Sequence, residues 1–180
     1  MKLYHLCLLL SLVPQISAAK SEQDLLILVL FDALRADHVH SYGYERQTTP
    51  TLDKLAQEGT SYTRMYVNAP WTRPSTASFL TGLNASRHQT ETAKSTLPTH
   101  VTTLAQRLKA QGYVTAGFTA NGNGGSLAGL EKGFDIFEDP STTYPRKVRG
   151  KTYCCNGLPS SEFLVKRATR WLKKNRHHPK

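Results

Sequence analysis

The chain has 180 residues, 39% of them hydrophobic, which suits one ordinary globular domain with a real core. Its formal charge of +10 suggests a polyanion partner, but residues 1–145 carry 12 Lys and Arg against 12 Asp and Glu, and residues 146–180 carry 11 against Glu162 alone. The excess is confined to the C-terminal part, without aromatic interleaving or a recognisable module, which excludes nucleic acid as the expected partner.

At the N-terminus, Lys2 precedes an apolar stretch through Leu8, Leu9, Leu10, Leu12 and Val13, followed by the small residues Ser17, Ala18 and Ala19. This pattern predicts a signal peptide over residues 1–19, and therefore a secreted or periplasmic protein. The apolar part is short for a bilayer span, so no stable membrane anchor is expected. Cleavage near Ala19 would remove Cys7 and leave Cys154 and Cys155, adjacent neighbours that define neither a disulfide framework nor a zinc or redox motif.

Leu25 to Phe31 is a continuous Leu, Ile, Val and Phe run, the signature of a strand buried on both faces. It ends at Asp32, which would lie at the strand's carboxyl edge, where open α/β sheets place their chemistry. Thr49 and Pro50 open a short helix that Gly59 ends. Ser61 to Asn68 reads as a second strand. Thr72, just ahead of Pro74, opens a further helix that runs to Thr81 and stops at Gly82. Thr72 is thus expected at a helix N-terminus, where it either serves chemistry or merely caps the helix.

Leu97 and Pro98 open another helix, in which Val101, Leu104, Ala105 and Leu108 share a face and which Gly112 closes; Tyr113 to Thr119 reads as a strand. The glycine-rich stretch Asn121 to Gly125 lacks the Lys-Ser/Thr ending of a phosphate-binding loop and reads as a flexible connection. Glu162 to Asn175 sets Phe163, Leu164, Ala168, Trp171 and Leu172 among basic residues, an amphipathic surface helix that Ser160 or Ser161 could cap. Strand, helix, helix, strand in this order indicates a layered α/β fold.

Four ordered blocks carry a resemblance. They are "ILVLFDALRADHVHSYGY" at Ile27 to Tyr44, "TTPTLDKLAQEGTSYTRMY" at Thr48 to Tyr66, "APWTRPSTASFLTGL" at Ala69 to Leu83, and "LPTHVTTLAQRLKAQGYVTAGFTAN" at Leu97 to Asn121. Together they resemble the sulfatase family of the alkaline phosphatase superfamily. The resemblance implies an α/β sandwich with a mostly parallel central sheet, of which residues 20–180 would be an N-terminal portion, incomplete on its C-terminal side. It further implies a metal-dependent hydrolase of sulfuric esters.

In the third block Pro74, Ser75, Thr81 and Gly82 match the family's nucleophile signature, and Thr72 stands where the family keeps the cysteine that becomes formylglycine. A threonine cannot become that aldehyde, whose second hydroxyl expels sulfate. Resemblance to the phosphodiesterase and phosphoglycerol-transferase branches implies that Thr72 serves as an ordinary covalent nucleophile. The signature arginine is replaced by Thr76. Arg73 is expected to point elsewhere.

Asp32 matches the first of the family's paired metal-binding aspartates, and Ala33 stands in place of the second. The implied ion is calcium for sulfatase-like chemistry, or zinc, manganese or magnesium for phosphodiesterase-like chemistry, with Asp32 and Thr72 as ligands. These two are too few for any such ion. Further ligands would come from a later motif, so the chain is expected to be a truncated product or a fragment. Arg35, Asp37 and His38 read as loop-fixing residues, and His88 as a candidate substrate contact. Asn84-Ala85-Ser86 is a glycosylation sequon in a eukaryotic host. The substrate is expected to be a small-molecule, polysaccharide or lipid ester; the rival reading is a non-catalytic secreted remnant.

Overall fold

The computed structural model describes residues 25–140, 147–148, 151–152 and 160–175. The expected signal peptide and the Cys154–Cys155 pair lie outside them. Helix α1 (Pro50–Glu58) starts on its proline, as expected, and is followed by Gly59. Helix α2 (Thr72–Thr81) stops at Gly82, whose φ of 70° lets its N–H reach back to the Ser78 carbonyl. A single turn, α3 (Ala85–His88), follows.

Helix α4 (Leu104–Ala110) is shorter than expected at its start. Thr103 is a better N-terminus than Pro98: its hydroxyl accepts from the Gln106 N–H, and the Gln106 side chain accepts from the Thr103 N–H, a complete capping box. Residues Pro98 to Val101 instead form a turn whose carbonyls at Pro98, Thr99 and Val101 are collected by the Lys132 ammonium at 2.9, 3.2 and 3.0 Å.

Strand β1 (Ala116–Phe118) pairs in parallel with β2 (Ile136–Glu138), with Gly117 opposite Phe137. Gly117 is required there, because a Cβ would come within 2.5 Å of the Phe137 ring. A two-residue antiparallel ladder joins β3 (Lys147–Val148) to β4 (Lys151–Thr152). Helix α5 (Ser160–Asn175) is anchored by Trp171, edge-on to Phe118, and by a two-pronged Arg167–Glu138 pair with both contacts at 2.6 Å. The α/β character and parallel pairing agree with the sequence reading. The full sandwich is not assembled among the described residues.

The core consists of Ala77 from α2, Leu97 and Val101 from the turn before α4, and Ala128 and Leu130 after the glycine-rich loop, with Leu80 and Leu83 against them. Two expected strands do not form. Leu25 to Phe31 joins no strand among the described residues, and these residues are 49–69% exposed. Ser61 to Asn68 is likewise unpaired, with Tyr66 84% exposed. Composition reports what a segment can bury, whereas a strand exists only where neighbouring backbone satisfies its N–H and C=O groups. No described element offers that to either run.

Candidate functional site

The site lies beyond the carboxyl end of β1 and draws on three segments. The first is the end of the apolar run. Asp32 is followed by Ala33 in the left-handed region, φ 57°, so the chain turns directly after the carboxylate. A residue with a Cβ in this region costs about 1 kcal/mol. The ensuing loop is held by Arg35 pairing with Asp37 at 2.9 and 2.5 Å, which keeps the Asp37 carboxyl well below the usual carboxylate range. His38 stacks on Tyr44 at 4.8 Å, and His40 contacts Asp53 of α1 at 3.1 Å. Arg35, Asp37 and His38 are tied within the loop, as the sequence suggested, and His40, Tyr44 and Asp53 add to these ties.

The second segment is the start of α2. Thr72 is its first helical residue, while the capping position belongs to Trp71, whose side chain makes no cap bond. The Thr72 hydroxyl instead donates to Asp32 Oδ1 at 3.2 Å, linking residues that lie far apart in sequence. Arg73 does turn away from this pair. It is buried and donates to the Ser95 carbonyl at 2.7 Å and to Asn123 Oδ1 at 2.9 Å. Thr76 is buried one turn along, against Gly124.

The third segment is the glycine-rich loop, which is a built part of the site rather than a flexible connection. Gly122–Gly124 is a helical turn capped by Asn121, whose Oδ1 accepts from the Asn123 N–H at 3.0 Å. The other end of the same amide, Nδ2, donates to Asp32 Oδ2 at 2.5 Å. One carboxylate thus receives the Thr72 hydroxyl on one oxygen and the Asn121 amide on the other. Gly124 lies flat on Thr72 and Thr76, and a Cβ on Gly125 would come within 2.5 Å of Asp139 Oδ2, so a side chain at Gly125 would force the loop off its bed.

Asn121 was missed by the sequence reading, although a signal existed. It follows a strand at the carboxyl edge, the same positional rule that singled out Asp32. His88, expected as a substrate contact, is not brought to the pair. It is 0% exposed, with Nε2 at 3.0 Å from the Ser78 hydroxyl and Nδ1 accepting from the Thr90 N–H at 3.0 Å. Burial pushes its pKa below the ordinary imidazole value. Both ring nitrogens are engaged internally, which leaves none for a ligand. Asn84 of the sequon is exposed at the start of α3, its Oδ1 accepting from Asn68 Nδ2 at 2.7 Å.

A divalent cation asks for about six oxygen ligands, or about four donors for zinc. Asp32 and Thr72 offer two side chains, and the Asn121 carbonyl is committed to its own loop. No group of three or more His, Cys, Asp and Glu side chains capable of holding a metal ion occurs among the described residues. The residues present do not by themselves fit a cation.

The family model for sulfatases matches residues 24–180. The chain belongs to the sulfatase family. Relatives include human arylsulfatase D, 33% identical over 124 residues, a match that covers 63% of this chain and 21% of that protein. Bovine arylsulfatase A is 37% identical over 114 residues, covering 60% and 22%, and mouse steryl-sulfatase is 32% identical over 142 residues, covering 68% and 23%. This sulfatase-family chain thus spans between a fifth and a quarter of the length of these relatives. No solved structure gives a significant match. Among the described residues no helix is long and apolar enough to cross a membrane.

Proposed function

We propose that the chain carries the nucleophile-bearing part of an ester hydrolase of the sulfatase type, with Thr72 as nucleophile and Asp32 as the group that receives its proton. The observation that carries this reading is the 3.2 Å hydrogen bond from the Thr72 hydroxyl to Asp32, made at the first residue of a ten-residue helix. The positive end of the helix favours negative charge developing on that oxygen. In the first step the Thr72 oxygen bonds to the sulfur of a sulfuric ester and the bond from sulfur to the alcohol oxygen breaks. The proton passes through Asp32 to the departing alcohol. Water then cleaves the threonyl ester, releasing sulfate and a proton and restoring the Thr72 hydroxyl.

The single hydroxyl of Thr72 favours a second reading for the same residues, transfer of a phosphoryl group from a phosphodiester. A phosphothreonyl ester is opened by water or an alcohol without the aldehyde collapse that a sulfated formylglycine uses. The substrate in either case is an ester of a small molecule, polysaccharide or lipid. The setting is an alkaline phosphatase-type sandwich, of which residues 20–180 form the first portion, exported from the cytoplasm behind residues 1–19. Dependence on a divalent ion belongs to this reading through the family alone.

The test is turnover of an aryl sulfate and of an aryl phosphodiester by the full chain, with calcium, zinc, manganese or magnesium supplied or removed, beside Thr72→Ala. The expected result is turnover that falls at least about a thousandfold in the variant, since loss of a nucleophile removes the covalent route. Equal turnover in both proteins, or none in either with every ion, would reject the proposal.

A further inference from the structure

We infer that Arg73 is a positioning residue for the Thr72–Asp32 pair, acting through Asn123 and Asn121. Its bearing on catalysis rests on the reading of Thr72 and Asp32 just proposed; its structural part does not. Arg73 is 3% exposed, and such burial of a guanidinium costs several kcal/mol unless its donors are well used. Two of its nitrogens are used, on Ser95 and Asn123, while Nε has no partner among the described residues. A cation held this deep with an idle donor is poorly explained by stability alone. What its fork accomplishes is to join two loops beneath the first turn of α2.

The consequence lies in which way round Asn121 is held. Its amide has an acceptor end and a donor end, and only the donor end suits a carboxylate. Arg73 Nη2 grips the Asn123 side chain at 2.9 Å, and the Asn123 N–H takes the Asn121 Oδ1 at 3.0 Å. With its oxygen committed there, Asn121 presents Nδ2 to Asp32 Oδ2 at 2.5 Å. The other carboxylate oxygen then faces the Thr72 hydroxyl. Because Arg73 directly follows Thr72, one helical turn supplies both the hydroxyl and the arm that orients its acceptor. Gly124, lying on Thr72 and Thr76, keeps the loop close enough for the link to close.

The test uses Arg73→Lys, Asn123→Ala and Asn123→Asp in the full chain. Asn123→Ala removes one half-buried polar group and leaves the backbone N–H in place, so it tests the link with little threat to folding. Asn123→Asp keeps an acceptor for Arg73 and serves as the conservative rescue. The first readout is the side-chain amide signal of Asn121 in nitrogen-15 spectra, assigned by its loss in Asn121→Ala. A short bond to a carboxylate displaces one amide proton downfield. We expect that displacement to vanish in Asn123→Ala and Arg73→Lys and to persist in Asn123→Asp.

The second readout is turnover, with kcat falling about tenfold to a hundredfold in Asn123→Ala, KM little changed, and recovery in Asn123→Asp. An Asn121 signal unaltered in folded Asn123→Ala would overturn the inference, as would an equal loss in Asn123→Ala and Asn123→Asp. Absence of turnover in the parent chain, with the amide signals behaving as expected, would reject the catalytic reading and leave the positioning network standing.

Discussion

Residues 25–67 and residues 72–139 are built on opposite terms. The second region contains the entire buried core cluster, closed by a capping box, a lysine that gathers three carbonyls and a parallel strand pair. In the first region Val39 is the one buried hydrophobic residue, and α1 buries none. Its order comes from polar ties: Thr48 to the His38 carbonyl, Asp53 to His40 and Ser41, and Arg35 to Asp37. Yet the more apolar sequence runs belong to the first region. Hydrophobicity supplies stability only where another surface removes it from water. The candidate site joins the two regions, with Asp32 at the end of the exposed run and Thr72 and Asn121 on the packed platform.

Substitutions on the two sides sharpen that contrast. Leu130→Ala, at a fully buried core position, is expected to lower unfolding free energy by about 2–5 kcal/mol in a denaturant titration. Leu28→Ser, in the exposed run, is expected to change it by less than about 0.5 kcal/mol. A loss at Leu28 as large as that at Leu130 would mean that the run is covered in solution.

Gly133 has φ 91° and a Cβ there would come within 2.4 Å of the Gln106 nitrogen, so Gly133→Ala is expected to cost about 1–3 kcal/mol in the same titration. His88 gives the platform a pH dependence. Its folded pKa is depressed, so the unfolded chain binds a proton that the folded chain refuses. Stability is therefore complete above the ordinary imidazole value of 6.5 and is lost as pH falls from there towards the folded value. Melting temperature followed from pH 7 downwards (~7 to ~5) is expected to drop, and by less in His88→Gln. A modest gain belongs to Ala33. Ala33→Gly relieves its left-handed backbone and is expected to stabilise by about 0.5–1 kcal/mol, read as a raised melting temperature.

Helix boundaries were legible where the chain carries its own punctuation, as at Pro50, Thr72 and Gly82. At Pro98 the same reasoning began a helix too early, because a capping box five residues later competes more strongly. The two lost strands mark a different limit, since pairing depends on neighbours that a local pattern cannot name. The meeting of Asp32 and Thr72 was legible from position and family pattern. Asn121 and Arg73 were not, because their importance lies in which atom faces which, and neither composition nor spacing encodes the orientation of an amide. His88 matched a motif but owes its place to the packing of α2 on α3.

The most direct test of the central claim, that Thr72 takes the transferred group, is mass analysis of the peptide containing Thr72 after rapid acid quench of the full chain turning over an aryl sulfate or an aryl phosphodiester. The expected result is a sulfuryl or phosphoryl adduct on Thr72 that appears during turnover and is absent from Thr72→Ala. Continued turnover with an unmodified Thr72 peptide, undiminished in Thr72→Ala, would contradict it.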